Sequence, residues 1–172
     1  MPATQKIVPS LWFDTQCEEA VDFYISVFEG SPHKGADSKI ISIQRYEEGV
    51  EAPGAEQMLG KVLTAIFELN GQRFMALDGG PIFKFNEAVS FYVECEDQAE
   101  TDYFWDKLSA VPEAEQCGWI KDKFGLSWQI VPKHLGELLS SPDKPKAMAA
   151  MNAMLKMKKI VIADVQKAFD EA

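Results

Sequence analysis

The sequence predicts a mixed α+β fold built from two tandem modules and a C-terminal helical tail. The segment Ser10–Phe28 recurs with similar residues 80 positions later, as Ser90–Leu108. In each copy a short alternating strand precedes a helix with an apolar stripe. Alternating segments separated by turn residues follow each copy, which is typical of further strands. The constant offset indicates a duplicated unit, and a ligand is expected in the groove between the two modules.

The first module is predicted to contain four strands and one helix. The strands are expected at residues 7–13, 39–46, 61–69 and 73–78. The pair Asn70-Gly71 joins the last two strands and is a strong signal for a two-residue hairpin. Thr15–Glu18 has the spacing of a capping box and predicts the start of the helix. The apolar stripe of this helix comprises Ala20, Phe23, Tyr24, Val27 and Phe28.

The second module is shorter, and the sequence indicates that one of its strands is missing or reduced. Its strands are expected at residues 89–95, 117–121 and 126–131. Asp97 is expected to cap the helix that carries Tyr103, Phe104 and Leu108. We interpret the chain as a single domain over residues 1–172, with modules at about 6–80 and 86–132 and a tail at about 133–172.

The tail is predicted to form three short helices interrupted at Pro142 and Pro145. Its middle part is rich in methionine, and we interpret it as packing over the sheet or against a partner subunit. A methionine-rich binding surface is the alternative, because methionine side chains adapt to varied partners. The lysine run Lys156, Lys158 and Lys159 is expected to be the solvated end of this helix, where cations suit the helix dipole.

Strand alternation sorts side chains onto two faces of each sheet. Residues predicted to face the helices and the core are Leu11, Phe13, Phe91, Val93, Leu126, Trp128 and Ile130. Residues predicted on the opposite face are Val8, Ser10, Trp12, Phe74, Ala76, Asp78, Ala88, Ser90, Tyr92, Ser127 and Gln129. This mixture of aromatic and small residues is typical of a pocket for a small, mostly apolar ligand. Two alternatives stay open: Trp12 as core, and Gln129 as a satisfied buried amide.

The composition restricts the function classes. A formal net charge of −10 over 172 residues argues against nucleic acid or an anionic membrane as the main partner. No apolar segment is long enough to span a membrane, and the N-terminus has no signal-peptide pattern. Three cysteines without a CxxC pair indicate reduced thiols and a cytoplasmic location. Only two histidines, His33 and His134, are available as metal ligands.

Several segments resemble one known family. They are Leu11–Gln16, Ala20–Tyr24, Phe74–Phe85, Glu87–Phe91, Gln116–Pro132 and the tail motif Met154–Ile160. The sequence resembles the vicinal oxygen chelate superfamily, which is the glyoxalase, bleomycin-resistance and extradiol-dioxygenase group. Within it the chain is similar to the demethylubiquinone-methyltransferase-like, or PhnB-like, branch. The resemblance implies two βαβββ modules that form a curved mixed sheet around a cavity, and it implies a homodimer.

The resemblance also locates the metal positions of the superfamily's enzymes, which hold a divalent metal with His or Glu. In this sequence those positions fall at Val8, Ala76, Ala88 and Gln129. A catalytic metal site needs about three protein ligands, and only Gln129 has a side chain that can coordinate. No catalytic metal and no cofactor are therefore expected. The methyltransferase label is not supported by a glycine-rich turn between a strand and a helix, which such enzymes typically contain.

The leading functional hypothesis is a metal-free protein that binds a small organic ligand. Its cavity is expected to be lined by Trp12, Tyr92, Glu94 and Gln129. One alternative is an enzyme of the same superfamily, either methyltransferase-like or a metal-independent acid–base enzyme. The acid–base enzyme requires Glu87, Glu94 or Asp78 inside the cavity with a raised pKa. Another alternative is a protein-interaction role, in which the tail helices and the acidic surface form the interface.

Overall fold

The computed structural model describes residues 5–51 and 53–172 and confirms the α+β class. The chain divides into two compact units. Unit 1 comprises the chain up to Gly30 together with Lys34–Lys84, and unit 2 comprises Ser31–His33 and Phe85–Ala172. Each unit has a sheet of its own. No helix in the described part of the chain has the length and apolar character needed to cross a membrane.

Unit 1 has the order βαβββ that the resemblance implied. Its elements are β1 (Ser10–Phe13), α1 (Cys17–Glu29), β2 (Lys39–Arg45), β3 (Val62–Leu69) and β4 (Gln72–Asp78). The sheet order is β1-β4-β3-β2. Strands β1 and β4 are parallel, whereas the other neighbours are antiparallel. A short 3-10 helix, Ala55–Met58, lies in the connection between β2 and β3.

The hairpin predicted at Asn70-Gly71 is confirmed. Leu69 pairs with Gln72 across the turn, so the loop has only two residues. Asn70 has φ of 48° and Gly71 has φ of 78°, both in the left-handed region that a type I′ turn requires. The Asn70 side chain also accepts a hydrogen bond from the backbone N–H of Ala36 at 2.8 Å. The turn therefore fixes the register of β3 against β4.

Helix α1 buries a stripe that differs partly from the predicted one. The buried residues are Cys17, Ala20, Val21, Tyr24 and Val27. Phe23 and Phe28, which were assigned to the stripe, are half-buried. The observed stripe has Cys17 and Val21 in place of these two phenylalanines, so the buried face is rotated slightly around the helix axis. The spacing of three and four residues, which is the signature of an amphipathic helix, is retained.

The prediction of a capping box at Thr15–Glu18 is wrong. No side chain of that segment caps α1, and Gln16 occupies the N-cap position. The carboxylate of Asp78 instead accepts a hydrogen bond from the backbone N–H of Cys17 at 2.8 Å. Glu18 forms an ion pair with Arg45. A residue at the end of β4 therefore supplies the acceptor that the sequence predicted within the helix start.

Unit 2 has one strand fewer than unit 1, which confirms the predicted reduction. Its elements are β5 (Ser90–Cys95), α2 (Gln98–Leu108), β6 (Trp119–Lys121), β7 (Ser127–Pro132), α3 (His134–Leu139), α4 (Lys144–Met154) and α5 (Ile162–Asp170). The sheet order is β5-β7-β6, with β5 parallel to β7. Asp97 caps α2 as predicted, since its side chain accepts a hydrogen bond from the N–H of Glu100 at 2.9 Å.

The tail forms three helices that pack against β7, as predicted, but only Pro142 interrupts them, since Pro145 lies in the first turn of α4. The core that they share comprises Val131, Leu135, Leu138, Ala150, Ile160 and Val165. Met154 and Met157 pack at its edge, half-buried. Helix α4 buries Ala147 and Ala150, whereas Met148 is 61% exposed. The tail is therefore part of the hydrophobic core of unit 2, and α4 contacts this core mainly through alanine.

Backbone hydrogen bonds also tie the tail to the body of unit 2. The N–H groups of Cys117 and Gly118 donate to the carbonyls of Met157 and Lys158 at 2.9 and 2.8 Å. The Gln98 side chain donates to the carbonyl of Ile160 at 3.1 Å and accepts from the N–H of Ile162 at 2.9 Å.

The prediction that the lysine run is solvated is confirmed for Lys156 and Lys158, which are exposed, whereas Lys159 is half-buried. Lys159 pairs with Asp102 at 2.8 Å, and Lys158 lies 3.4 Å from Glu115. Lys158 also donates to the carbonyl of Pro112 at 3.0 Å. Two of the lysines therefore reinforce the attachment of the tail to the body of unit 2.

Candidate functional site

The face predicted for β4 is wrong. Phe74, Ala76 and Asp78 are 8%, 0% and 1% exposed, and they lie on the side covered by α1. The reason is the strand register: Ala76 pairs with Leu11 and with Ala65, which are both core residues. The hairpin predicted from the sequence already indicates which face of β4 is buried. A two-residue turn places Phe74 opposite Phe67, which belongs to the alternating apolar positions 65, 67 and 69 of β3.

The corrected open face of unit 1 is a continuous half-buried apolar surface. It comprises Trp12, Thr64, Ile66, Met75 and Leu77. Ser42, Ile66, Met75 and Ser10 form one row across the four strands. Helix α1 packs against the other side of this sheet, where its buried stripe meets β3 and β4. This open face, and not the face of Ala76, is the side of the unit 1 sheet that α1 leaves uncovered.

Trp12 lies on this open face and is fixed by the loop that follows β4. Its indole N–H donates to the carbonyl of Gly80 at 2.9 Å. The ring of Phe83 packs edge-on against it, with the ring centroids 4.9 Å apart. Gly79 approaches so closely that a Cβ atom there would lie 2.1 Å from the indole ring. The position of Trp12 therefore depends on a glycine at residue 79.

We expect Gly79→Ala to displace Trp12 and to destabilise unit 1 by about 1–3 kcal/mol, which is the usual cost of overpacking. The added methyl group cannot be accommodated unless the indole or the loop moves. Chemical denaturation and Trp fluorescence measure the loss of stability and the change around the indole. Gly80→Ala is not a suitable control, because Gly80 has φ of 81°. Pro81→Ala is a suitable control, because Pro81 is exposed. Unchanged fluorescence and stability in Gly79→Ala contradict this account of Trp12.

The positions at which superfamily enzymes hold a metal do not form a metal site in this chain. Ala76 is fully buried on the α1 side, so its strand neighbours Met75 and Leu77 face the open side instead. Neither these residues nor Val8 and Ala88 carry the oxygen or imidazole donors that divalent metals prefer. Within residues 5–51 and 53–172, no group of three His, Cys, Asp or Glu side chains is placed to hold a metal ion. The donor set therefore does not fit a catalytic metal.

The open face of unit 2 is more polar. Tyr92, Gln129 and Trp119 are neighbours on its three strands. The Gln129 amide donates to the Ser90 hydroxyl at 2.9 Å, so it has a partner but stays half-buried. Tyr92 is 56% exposed. Burial of the phenol and the nearby Glu94 carboxylate raise the pKa of Tyr92, so it is a neutral hydrogen-bond donor at pH 7.

The four residues predicted to line the cavity therefore lie in different units. Trp12 belongs to unit 1, whereas Tyr92, Glu94 and Gln129 belong to unit 2. Tyr92 and Gln129 are neighbours across β5 and β7. Glu94 follows Tyr92 by two residues on β5 and is exposed. Their participation in one cavity stays a prediction. The sequence reasoning missed Thr64, Ile66, Met75 and Leu77, which surround Trp12 in unit 1.

The carboxylates considered for acid–base chemistry have other contacts. Glu87 pairs with Lys121, and hydrogen bonding to this lysine lowers the pKa of the Glu87 carboxyl. Asp78 is buried and accepts hydrogen bonds from the N–H groups of Cys17 and Val62 at 2.8 and 3.1 Å. Burial raises the pKa of Asp78, although both hydrogen bonds oppose the shift. Asp78 is therefore a structural acceptor in the core, which corrects its assignment to the open face.

The thiols and imidazoles do not form a nucleophilic centre. Cys17 and Cys95 are fully buried, and burial raises the pKa of each thiol to about 12. Thiols with so high a pKa are protonated and unreactive at neutral pH. His33 contacts Asp97 at 2.9 Å, and His134 contacts Glu137 at 2.6 Å, both at the surface. The buried Cys17 and Cys95 side chains are consistent with the reduced thiols that the sequence predicted.

Two grooves border β2 and the loop that follows it. One has a volume of about 620 Å³ and is lined by Ile43, Gln44, Arg45, Glu47 and Leu63. The other has a volume of about 420 Å³, and its lining includes Glu47, Glu48, Val50, Ala55, Glu56 and Leu59. Arg45 in the first groove is already paired with Glu18. We call the second one the acidic groove, because three of its lining residues are glutamates.

Comparisons with known proteins agree with this architecture. The sequence model of the family described as 3-demethylubiquinone-9 3-methyltransferase matches residues 5–131. A solved structure from Bacillus cereus, described as a putative 3-demethylubiquinone-9 3-methyltransferase, PhnB protein, is 36% identical to this chain. The alignment covers 74% of this chain and 99% of that one, with a TM-score of 0.58. The tail motif Met154–Ile160 lies outside the matched residues of the family model.

Protein PA1353 from Pseudomonas aeruginosa has a similar fold at 20% identity. Its alignment covers 75% of this chain and 98% of that one, with a TM-score of 0.56. No match was found among curated proteins. The long family match and the Bacillus cereus structure agree with the motifs recognised in the sequence. The chain belongs to the 3-demethylubiquinone-9 3-methyltransferase family, the PhnB-like branch of the vicinal oxygen chelate superfamily.

Proposed function

We propose that the protein binds a small, mostly apolar organic ligand without a catalytic metal. The observation that carries this proposal is the half-buried row of apolar side chains on the open face of unit 1. Trp12, Ile66, Met75 and Leu77 expose an apolar surface on the side of the sheet that α1 leaves uncovered. An aromatic ring among aliphatic and thioether groups suits a flat, apolar ligand. Ser10 and Ser42, at the ends of one row, supply hydroxyl groups for orientation.

Unit 2 supports the same proposal through its neutral hydrogen-bonding groups. The Tyr92 phenol and the Gln129 amide are neighbouring groups with both donor and acceptor capacity. Glu94 adds a negative charge at the exposed end of the same strand. These groups favour a neutral or weakly cationic ligand over an anion, since a carboxylate repels negative charge. An aromatic compound that carries hydroxyl or carbonyl groups meets these requirements.

The proposal is tested with a panel of aromatic ligands, including a short-chain demethylubiquinone analogue, followed by calorimetry. Trp12→Ala and Met75→Ala are each expected to weaken the best ligand by about tenfold or more, because aromatic and large apolar groups dominate such contacts. Ile25→Ala is the matched control, since Ile25 is half-buried on α1. An unchanged affinity in both open-face variants, with the fold intact, contradicts the proposed site.

Tyr92→Phe and Gln129→Leu test unit 2 separately. Each removes polar groups while keeping most of the side-chain volume, and each is expected to weaken a hydroxylated ligand more than its apolar analogue. Metal content and S-adenosylmethionine binding are measured on the same preparation. A stoichiometric divalent metal, or methyl transfer to the demethylubiquinone analogue, would replace this proposal with an enzymatic one.

A further inference from the structure

We propose that α4 of the tail docks into the acidic groove of a second copy of the chain. Helix α4 and the residues after it form the most basic part of an acidic protein. Residues 144–159 contain five lysines and no Asp or Glu, although the whole chain has a net charge of −10. Lys158 and Lys159 pair within unit 2, whereas no ion pair is found for Lys144, Lys146 or Lys156 among the described residues.

Lys144 and Lys156 accompany an exposed apolar stripe. Met148, Met151 and Leu155 are spaced three and four residues apart, so they lie on one side of the helix. Met148 is 61% exposed and Leu155 is 52% exposed. Lys144 precedes Met148 by four residues and therefore extends the same stripe. We call this set, Lys144, Met148, Met151, Leu155 and the adjacent Lys156, the α4 stripe.

At the start of α4, Lys146 lies over the Phe169 ring, with its Nζ 5.5 Å from the ring centroid, whereas the positive charge of Lys144 is not explained by the stability of the helix. Lys144 and Lys146 lie in its first turn, where the helix dipole disfavours positive charge. Asp143 caps the helix and offsets this only in part. Such an arrangement is useful when an acidic surface lies opposite the lysines, because complementary charges then set the orientation of the contact.

The acidic groove of unit 1 has the complementary properties. Residues 47–56 contain four glutamates and no lysine or arginine. Glu47, Glu48 and Glu56 line the groove, and no ion pair is found for them within the described residues. Val50, Ala55 and Leu59 provide an apolar lining, and Leu59 is 50% exposed. The groove volume of about 420 Å³ is in the range that holds a small ligand, so it admits methionine or leucine side chains.

A second copy is the occupant that these observations favour, because each chain carries both halves of the contact. In a dimer with two-fold symmetry, the α4 stripe of each copy meets the acidic groove of the other, so both contacts form together. Methionine is well suited to such an irregular groove, since its unbranched side chain adapts its shape. The lysines then pair with the glutamates at the rim.

Charge reversal tests the contact and its occupant. We compare a stripe variant, Lys144→Glu with Lys156→Glu, and a groove variant, Glu47→Lys with Glu56→Lys. Each alone is expected to weaken the dimer by about tenfold or more, because like charges then face each other in both contacts. Light scattering and analytical ultracentrifugation measure the dissociation constant. The control is Lys6→Glu with Lys84→Glu, which removes two exposed lysines elsewhere.

Mixing the two variants identifies where the contact lies. In the mixed dimer, the Glu-bearing stripe meets the Lys-bearing groove and the original stripe meets the original groove, so the dimer is expected to recover. Native mass spectrometry detects this mixed species. A monomeric wild-type protein, or a dimer unaffected by either variant, overturns the proposal. Recovery only when all four changes are in one chain also overturns it, because the contact is then within a single molecule. Binding of the wild-type protein to anionic vesicles without dimerisation overturns the proposal as well.

Discussion

Asp78→Ala is expected to destabilise the protein by about 2–5 kcal/mol, because two buried N–H groups lose their acceptor. The carboxylate of Asp78 accepts hydrogen bonds from Cys17, at the start of α1, and from Val62, at the start of β3. Asp78 itself is 1% exposed, so water does not replace the lost oxygen atoms. The loss is measured by urea denaturation. Asp14→Ala is the control and is expected to change stability by less than about 0.5 kcal/mol.

The cost of Asp78→Ala also depends on pH in a defined direction. Burial raises the pKa of Asp78 above that of the unfolded chain, so ionisation disfavours the native state. The stabilising contribution of the protonated carboxyl is full below the unfolded pKa and decreases as the pH rises through the folded pKa. We therefore expect a larger loss near the unfolded Asp pKa of about 4 than at about pH 7. A loss that grows steadily with pH contradicts this assignment.

Ile160→Ala is expected to destabilise unit 2 by about 2–5 kcal/mol, which is typical for a large-to-small change in a core. Ile160 is fully buried in the cluster shared by β7 and the tail helices. Its side chain also lies against Gly118, where an added Cβ atom would approach Ile160 to 3.0 Å. Differential scanning calorimetry and urea denaturation measure this loss. The result shows whether the tail contributes to the core or only covers its surface.

Val89→Ala is the matched control for Ile160→Ala, because Val89 belongs to the same unit but is 64% exposed. We expect it to change the stability by less than about 0.5 kcal/mol. Truncation after Pro132 removes five of the six residues of the tail cluster and leaves Val131 uncovered. An unaltered melting temperature in both Ile160→Ala and the truncated protein contradicts the integral role of the tail.

Local patterns predicted the elements of this fold well. Asn70-Gly71 defined the hairpin, Asp97 defined the start of α2, and Pro142 marked the break between α3 and α4. These features depend on neighbours within a few residues, so the sequence contains their full physical cause. The start of α1 was different. Its acceptor is Asp78, which is 61 residues away from Cys17, and no local pattern contains such a contact.

The candidate site was predicted less well because it depends on the register between strands. A shift of one residue in β4 exchanges the residues of the two faces. Trp12 was placed correctly on the open side, yet the buried residues Phe74, Ala76 and Asp78 were assigned to that side too. The β4 residues on the open side are Met75 and Leu77. Combining the hairpin with the alternation of β3 gives the correct side for Phe74 and Ala76. The parallel pairing of β1 with β4 joins distant segments of the chain, so local patterns did not predict its register and the structure was needed to define it.

The attachment of the tail has a consequence for synthesis on the ribosome. The hydrogen bonds from Cys117 and Gly118 reach Met157 and Lys158, and Gln98 reaches Ile162. These acceptors and donors are made after all of unit 1, since no element of unit 1 lies beyond Lys84. Domains generally fold in the order in which they emerge during translation. Unit 1 can therefore fold as soon as Lys84 has emerged, while the core of unit 2 stays incomplete until the tail residues up to Val165 have also been made.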